Sequence, residues 1–430
     1  MRRCGAIFLM SWLMLVRPAA ADLTIEITQG VDGALPIAVV PFALSGSTEA
    51  DTFVTSIINA DLARSGRFTP LPGRDLLAQP HRASDVDYRT WRTINVEGLV
   101  VGRIRVEAGV YNIQFELFDI VRGVQMKGYT VKAATRDLRQ TAHQISDLIY
   151  EAYLGEKGAF ATHIAYVTEI RGKQGKRYSL QVADADGFNP KTVLDSVQPL
   201  MSPAWSPDGK KLAYVSFENQ RPNIYIQELA TGTRSLVSSF PGLNGAPAWS
   251  PDGKRMALVL SQTSGNADIY IMNLETRQLS RLTDNYAIDT EPVWTPDGAA
   301  VLFTSDRGGG PQLYRVASSG GTPERLTFDG SYNARAAIAP NGRTVAFVHG
   351  EGNVYRIAVL DLETGSVQVL TDSRLDESPS FAPNGSMILY ATNDKGRGVM
   401  CAVSVDGKVR QRLALQEGDT REPAWSPYKK

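Results

Sequence analysis

The sequence has few cysteines and histidines and no net charge, and each of these shortages excludes a class of function. Only 2 cysteines and 4 histidines occur in 430 residues, and basic and acidic side chains number 45 each. Two cysteines cannot form a disulfide-rich scaffold, and the lack of a long Lys/Arg run argues against nucleic acid as a partner. The histidines form no H-E-x-x-H or other close pair, so the sequence predicts no metal and no cofactor.

Long apolar runs are also scarce, and the one at the N-terminus is short. Arg2 and Arg3 precede an apolar stretch over 6–16, and small residues follow it up to Ala21, which is the three-part form of a secretory signal peptide. A membrane-spanning helix needs about 20 apolar residues. We therefore expect residues 1–21 to be removed after Ala21 and the exported chain not to be inserted in a membrane. A twin-arginine signal is the alternative export route.

Residues 34–158 have the mixed pattern of a small α/β domain. The run Leu35–Phe42 predicts a buried strand, and "GLVVGRIRV", "YNIQFELFDI" and "VQMKGYTV" predict an antiparallel meander. Helical spacing of apolar residues predicts a closing helix with its apolar face formed by Leu138, Ala142, Ile145, Ile149 and Ala152.

A repeated motif occupies the remainder of the chain, 159–430. "PAWSPDG" begins at 203 and at 247, and variants begin at 292, 336, 379 and 423. A period of about 44 residues suits a four-stranded propeller blade or a pair of helices, and the β-rich runs between the motifs favour the blade. The sequence therefore predicts a mainly β protein, with a six-bladed β-propeller after the α/β domain.

The last repeat ends almost immediately after its motif and so has only a first strand. Three runs near the start of the repeat region lack a first strand of their own: His163–Glu169, Tyr178–Gly187 and Lys191–Ser196. We expect the C-terminal strand to complete that blade and close the ring.

The aspartate of the motif is better explained as scaffold than as a catalyst. It recurs at Asp208, Asp252 and Asp297, whereas a catalytic group is normally built once, and Pro-Asp-Gly is typical of a tight turn. No G-x-S-x-G turn accompanies the repeats, and "DADG" at Asp184–Gly187 lacks the glutamate of a calcium loop. We predict no catalytic residue and no metal ligand.

The order of these features resembles the TolB family of the Tol-Pal system in Gram-negative bacteria. The resemblance rests on the signal followed by "DLTIEITQGVDGALPIAVVPF", the α/β domain, the repeated "PAWSPDG" and the truncated "PAWSPY". It covers the whole chain, although "AAIAPNG" lacks the first proline and the tryptophan of the motif. It implies a monomeric, non-enzymatic periplasmic adaptor that supports outer-membrane integrity and invagination during division, with the lipoprotein Pal and the inner-membrane protein TolA as partners.

The connections from the fourth strand of one blade to the first strand of the next differ in sequence among the repeats. Such variation is expected of a surface that binds a partner. The resemblance places Pal at the channel mouth that these connections surround. The predicted Pal-binding residues are Met201, Leu243, Asn244, Thr290, Glu291, Asn333, Arg335, Asp376, Glu377 and Arg421.

Residues 22–33 alternate apolar and polar side chains and then reach two glycines, which predicts a short strand on a flexible joint. Such a strand can cap its own α/β domain or add to the sheet edge of another protein. The resemblance favours capture of TolA by Asp22, Leu23, Thr24, Ile25, Glu26, Ile27 and Thr28. Because a docked strand must be released before it can pair elsewhere, we expect Pal binding to bias its release.

Two other classes of function stay open at the level of sequence. A propeller hydrolase acting on envelope components would need paired acids or a nucleophile at the channel. A ligand-sensing propeller would need a closed polar pocket.

Overall fold

The computed structural model describes residues 26–27, 33–45, 50–173, 175–261, 265–413 and 418–429. The predicted signal peptide and its cleavage site lie outside these ranges, as do five of the predicted TolA-binding residues: Asp22, Leu23, Thr24, Ile25 and Thr28. Among the residues described, no helix combines the length and the apolar character needed to cross a bilayer.

A short strand, β1 (Glu26–Ile27), precedes an α/β domain built on one mixed sheet. The elements of this domain are β2 (Leu35–Val39), β3 (Ala43–Ser45), α1 (Ala50–Arg64), β4 (Phe68–Pro70), α2 (Tyr88–Arg92), β5 (Gly98–Glu107), β6 (Val110–Asp119), β7 (Val124–Ala134) and α3 (Leu138–Leu154). Single 3-10 turns lie at Gly73–Asp75, Ala83–Asp85 and Thr135–Asp137. The sheet order is β4-β2-β5-β6-β7, in which β2 is parallel to both neighbours and β5 to β7 form an antiparallel meander.

Both faces of this sheet are covered. Helices α1 and α3 pack on one face, where Ile58, Leu62, Ile145 and Ile149 are fully buried. Trp91 of α2 is the largest buried side chain on the other face. Helix α3 therefore has the apolar face that its spacing predicts.

The propeller follows as six four-stranded antiparallel blades, numbered in chain order, so the predicted fold class is confirmed. Its strands are β8 (His163–Gly172), β9 (Gly175–Asp184) and β10 (Lys191–Ser196) in blade 1; β11 (Leu200–Trp205), β12 (Lys211–Ser216), β13 (Asn223–Glu228) and β14 (Arg234–Ser238) in blade 2; β15 (Asn244–Trp249), β16 (Arg255–Leu260), β17 (Asp268–Asn273) and β18 (Leu279–Arg281) in blade 3; β19 (Asp289–Trp294), β20 (Ala300–Ser305), β21 (Gln312–Ala317) and β22 (Glu324–Arg325) in blade 4; β23 (Tyr332–Ile338), β24 (Thr344–Glu351), β25 (Val354–Asp361) and β26 (Val367–Val369) in blade 5; and β27 (Asp376–Phe381), β28 (Met387–Asp394), β29 (Arg397–Ser404) and β30 (Arg410–Arg412) in blade 6.

The C-terminal strand β31 (Asp419–Trp425) is the innermost strand of blade 1, where it pairs antiparallel with β8. Beyond the strand, Ser426 donates its backbone N–H to the His163 carbonyl and accepts the His163 N–H on its hydroxyl. Non-covalent pairing between the two ends of the repeat region thus closes the ring.

The tryptophans of the motif join neighbouring blades through hydrogen bonds as well as by packing. The indole N–H of Trp249 donates to the Ala204 carbonyl of the preceding inner strand at 3.1 Å, and Trp294 donates in the same way to Ala248 at 3.1 Å. Trp205 bonds Ala424 of β31 at 3.0 Å, which carries the pattern across the closure.

The aspartate of the motif has a structural role in its turn. Asp208 Oδ1 accepts the Ser206 hydroxyl at 2.6 Å and the Lys210 N–H at 3.1 Å, while Gly209 adopts φ +69°. Asp252 and Asp297 make equivalent bonds in the next two blades. Burial opposes ionisation, but the Ser206 hydroxyl and the Lys210 N–H hold the pKa of Asp208 below its usual range.

We expect Asp208→Ala to lower the free energy of unfolding by about 1 kcal/mol at neutral pH, because two hydrogen bonds to the turn are lost. A carboxylate with a lowered pKa stabilises the fold above its ordinary pKa and loses that effect as the pH falls through the folded value. The difference from the wild type should therefore shrink below about pH 4 in denaturant melts. Any change in partner binding would contradict a purely structural role.

Candidate functional site

The six innermost strands line the channel, and each carries a β-bulge at the same position of the repeat. The residue at that position has a positive φ of 45° to 56° in every blade: Ser202, Ala246, Glu291, Arg335, Ser378 and Glu422. Left-handed residues other than glycine are uncommon, and bulges often re-aim side chains near functional sites. The repeated bulge marks this level of the channel as a candidate site.

Arg335 is the centre of an ionic network at this level. Its guanidinium lies 3.0 Å from Glu291 and 3.4 Å from Glu422, and it donates to the Ser378 hydroxyl at 2.6 Å. The four residues belong to blades 4, 5, 6 and 1. Burial opposes the charge of Arg335, but Glu422 and Glu291 outweigh burial and raise its pKa, so this side chain is a fixed cation.

Two further charged residues lie beside this network. Burial raises the pKa of Glu377 above its usual range, with Arg335 opposing the shift and Glu422 adding to it. Arg421 is exposed and acts on the same carboxyl. Together with Glu291, these groups give the mouth three carboxylates and two guanidinium groups.

Large exposed apolar side chains lie at the same end of the strands as this charged centre. We use the term apolar ring for the exposed apolar residues in the connections between blades or next to them: Val197, Met201, Leu243, Tyr286, Ile288, Phe328 and Leu375. Tyr286 is 86% exposed and Phe328 is 72% exposed. Clustered exposed apolar side chains are typical of protein interaction sites.

The α/β domain contacts the opposite end of the propeller. Lys157 accepts a hydrogen bond from Asn384 in a motif turn, and Arg139 contacts Asp184 at the end of β9. Both contacts lie at the strand ends that are opposite to the connections carrying the apolar ring. In the part of the chain that the structure describes, the α/β domain therefore leaves the mouth uncovered.

Three of the predicted Pal-binding residues have buried side chains in the structure. Asn244 accepts the Ser238 hydroxyl at 2.6 Å, and Asp376 accepts the Thr371 hydroxyl at 2.5 Å. Asn333 donates to Gln312 at 2.8 Å. Polar side chains at the start of an inner strand turn inward to satisfy buried groups, so these three shape the connections and offer no contact surface.

The other predicted rim residues are partly or largely exposed near the mouth: Met201, Leu243, Thr290, Glu291, Arg335, Glu377 and Arg421. The sequence interpretation missed Glu422 and Ser378 of the network and five members of the apolar ring: Val197, Tyr286, Ile288, Phe328 and Leu375. Two signals could have found them. Glu422 and Ser378 directly precede the proline of the motif, and the five are apolar residues in otherwise polar connections.

Strand β1 lies on the propeller. It pairs antiparallel with β30, with Glu26 opposite Arg412 and Ile27 opposite Gln411, and becomes a fifth strand at the outer edge of blade 6. The two strand residues of this segment that the structure describes therefore pair with the propeller and not with the α/β sheet. An edge strand presents unpaired backbone groups, which a short extended segment can satisfy.

Gln411 lies where three parts of the molecule meet. Its backbone belongs to β30, opposite β1, and its side-chain amide donates to the carbonyl of Arg64 at the end of α1. The position of β1 is thus linked through one residue to the contact between the two domains.

Comparison with known proteins agrees with both parts of this architecture. A family model described as the TolB amino-terminal domain matches residues 23–126, and one described as the TolB beta propeller domain matches residues 150–429. The Tol-Pal system protein TolB of Xanthomonas oryzae pv. oryzae (strain MAFF 311018) is 53% identical over 412 residues, which cover 95% of this chain and 93% of the relative. The corresponding protein of Xanthomonas campestris pv. campestris (strain B100) is 52% identical over 411 residues.

A solved structure extends the likeness to three dimensions. The crystal structure of TolB from Acinetobacter baumannii has a TM-score of 0.88 and 44% sequence identity, and the match covers 94% of this chain and 100% of that chain. The whole two-part arrangement is therefore shared.

Proposed function

The chain belongs to the TolB family of the Tol-Pal system, and on that basis we propose that it is a non-enzymatic periplasmic adaptor. It binds the lipoprotein Pal at the channel mouth and TolA through its N-terminal segment. By joining outer-membrane and inner-membrane components, it maintains the outer membrane and draws it inward during division. The observation that carries the proposal is the apolar ring around the Arg335 network, on the face left open by the α/β domain.

We divide the chain accordingly. Residues 1–21 are the export signal, cleaved after Ala21; 22–33 are the TolA-binding segment; 34–158 are the α/β domain; and 159–430 are the propeller. The end of α3 at Leu154 and the start of β8 at His163 support the last boundary.

The mouth combines the features of a protein-binding surface. Exposed aromatic and aliphatic side chains supply apolar contact area, and buried aromatic anchors commonly dominate binding energy. The central charges add selectivity, because a partner must satisfy Arg335 and the glutamates around it. The revised Pal-contact set is the apolar ring together with Thr290, Glu291, Arg335, Glu377, Arg421 and Glu422.

Blade 6 offers a physical route from the mouth to the N-terminal segment. Its inner strand carries Ser378, which contacts Arg335, and its outer strand β30 pairs with β1. A partner that repositions the inner strand can therefore bias β1 between docked and free states. Such a coupling acts equally in both directions, so TolA binding should also alter Pal affinity.

Hydrolysis of envelope components is the competing function, because three glutamates lie at the mouth. Two of them, Glu291 and Glu422, are held in ion pairs with Arg335, so these carboxylates already have a structural partner inside the protein. Incubation with peptidoglycan fragments should give no turnover. Turnover that is lost in Glu377→Gln would establish the hydrolase instead.

We expect the double substitution Tyr286→Ser and Phe328→Ser to weaken Pal binding by at least about tenfold, because exposed aromatic anchors are removed. Both side chains are largely exposed, so the Tm should be nearly unchanged. Calorimetric titration with purified Pal measures the affinity. The matched control is Leu236→Ser, an exposed apolar residue on the outer strand of blade 2, which should bind Pal normally. Wild-type affinity in the double variant would move the site away from the apolar ring.

A further inference from the structure

A buried ionic cluster joins the α/β domain to blade 1, on the face away from the channel mouth. Its members come from two helices of the domain and from the end of β9 with the turn that follows: Asp61, Arg64, Arg139, His143, Asp184 and Asp186. Neither the proposed Pal contacts nor the proposed TolA segment includes any of these residues.

His143 lies between a carboxylate of each domain. Its Nδ1 is 2.7 Å from Asp61 Oδ2 on α1, and its Nε2 is 3.8 Å from Asp186 Oδ2 of the propeller. The imidazole has no exposed surface, and within the described residues Nε2 has no hydrogen-bond partner. The ring thus spans the domain interface with one nitrogen fully engaged and the other facing an acid.

Two arginines pair with the same carboxylates. Arg64 lies 3.0 Å from Asp61, Arg139 lies 3.0 Å from Asp184, and Arg139 also contacts Asp186. Three carboxylates and two guanidinium groups leave one negative charge, which a protonated imidazole neutralises. Because uncompensated buried charge is costly, the composition of the cluster favours the imidazolium form of His143.

A divalent cation is a poorer fit for this interface. It would lie beside two guanidinium groups that pair with the same carboxylates, and with a neutral imidazole it would leave an excess positive charge. A single proton balances the cluster without displacing either arginine.

We propose that His143 is a protonation-dependent latch between the α/β domain and the propeller. In the imidazolium form, both N–H groups point at carboxylates, one in each domain. On deprotonation, the Nε2 proton passes to solvent while Nδ1–H stays bonded to Asp61. The lone pair of Nε2 then faces the Asp186 carboxylate, and the attraction across the interface becomes a repulsion.

The electrostatic surroundings of His143 agree with this assignment. Burial opposes the charged form and Arg64 adds to that opposition, but the charge and hydrogen bond of Asp61, with the charge of Asp186, raise the pKa of His143 above its usual range. The charge of His143, followed by that of Arg64, in turn outweighs burial and lowers the pKa of Asp61.

A histidine with a raised pKa stabilises the folded state fully below its unfolded pKa of about 6.5 and loses that effect as the pH rises through the folded value. The latch should therefore weaken as the pH rises above neutrality.

Two other groups near the cluster titrate at lower pH. Burial raises the pKa of Asp147 to about 6, against the N–H groups of Phe160 and Ala161.

Burial also lowers the pKa of His163 to about 4, with help from Lys429 and Lys191. Another acid of the cluster, Asp184, has a pKa that burial raises, although His143 and Arg139 oppose the shift. Comparison of pH 6.5 with pH 9 therefore separates the titration of His143 from that of His163. Asp147 titrates in the wild type and in the variants alike, so its contribution cancels in the differences between them.

A double-mutant cycle across the interface tests the latch in the full mature chain. At pH 6.5, His143→Gln and Asp186→Asn should each raise the unfolding equilibrium constant by about tenfold, and the double variant should cost little more than one of them. At pH 9, the cost of His143→Gln should be smaller, because the attraction to Asp186 is already lost and only the bond to Asp61 remains to be removed. The matched control, Asn384→Ala, removes an uncharged hydrogen bond across the interface to the Lys157 carbonyl and should cost the same at both pH values. An equal cost of His143→Gln at pH 6.5 and pH 9 overturns the proposal.

A second measurement does not depend on the folding of a His143 variant. With 13Cε1-labelled histidine, the variants His81→Gln, His163→Gln and His349→Gln assign three of the ring resonances and leave that of His143. The titration midpoint of this resonance should lie above the ordinary value for histidine. A midpoint at or below about 6.5, the ordinary value for histidine, overturns the latch.

Discussion

Truncation after Asp419 is expected to open the propeller ring. The truncated chain lacks almost all of β31, and β8 loses its antiparallel partner from Thr420 to Trp425. It also loses the carbonyl of Ala424, which accepts the Trp205 indole, and the hydroxyl of Ser426, which accepts the His163 N–H. Blade 1 would then lack its inner strand and the indole hydrogen bond that joins this strand to blade 2.

Amide hydrogen exchange in residues 163–196 should accelerate by about two orders of magnitude or more in this variant, because local opening no longer requires separation of a paired inner strand. Exchange in the α/β sheet should change far less, since its core is independent of the ring. A matched control that ends after Pro427 keeps β31 and should retain protection in blade 1. Unaltered protection in the long truncation would show that the inner strand does not hold the ring closed.

Deletion of Asp22–Gly33 is expected to abolish TolA binding and to leave Pal binding measurable. The deleted segment includes β1, the part that lies on the edge of blade 6, whereas the apolar ring is untouched. A short strand gains affinity from backbone hydrogen bonds and selectivity from alternate side chains, so removal of the strand removes both. Titration calorimetry with purified TolA and with purified Pal provides the two affinities.

The control for this deletion replaces residues 22–33 with a Gly/Ser segment of the same length, which keeps the chain start at the same distance from β2. It should fail to bind TolA as well. If the deletion variant captures TolA with wild-type affinity, the segment only covers the edge of blade 6, and the proposed coupling to Pal loses its basis. A change in Pal affinity on deletion would support the coupling, because the docked strand would then influence the mouth.

The sequence by itself determined the fold class. Strand and helix periodicities are local signals, so the apolar spacing of Ile145 and Ile149 was enough to predict the buried face of α3. The motif period gave the number of blades, since each blade is one supersecondary unit that stacks only on its neighbours. The orphan motif at the C-terminus likewise pointed to β8 as the strand without an inner partner.

The tertiary structure decided which residues meet. The alternation of apolar and polar residues shows that β1 can form a strand, but it does not identify the sheet edge with which that strand pairs. The edge is β30, which lies near the other end of the chain. The Arg335 network joins residues of four blades across the channel. These residues are too far apart along the chain for a local sequence pattern to reveal their contact. Polar residues in connections can face solvent or turn inward, and Asn244, Asn333 and Asp376 turned inward because the bends around them leave buried groups to satisfy. His143, which forms no close histidine pair in the sequence, became a candidate latch only when folding placed a carboxylate of the propeller against its second nitrogen.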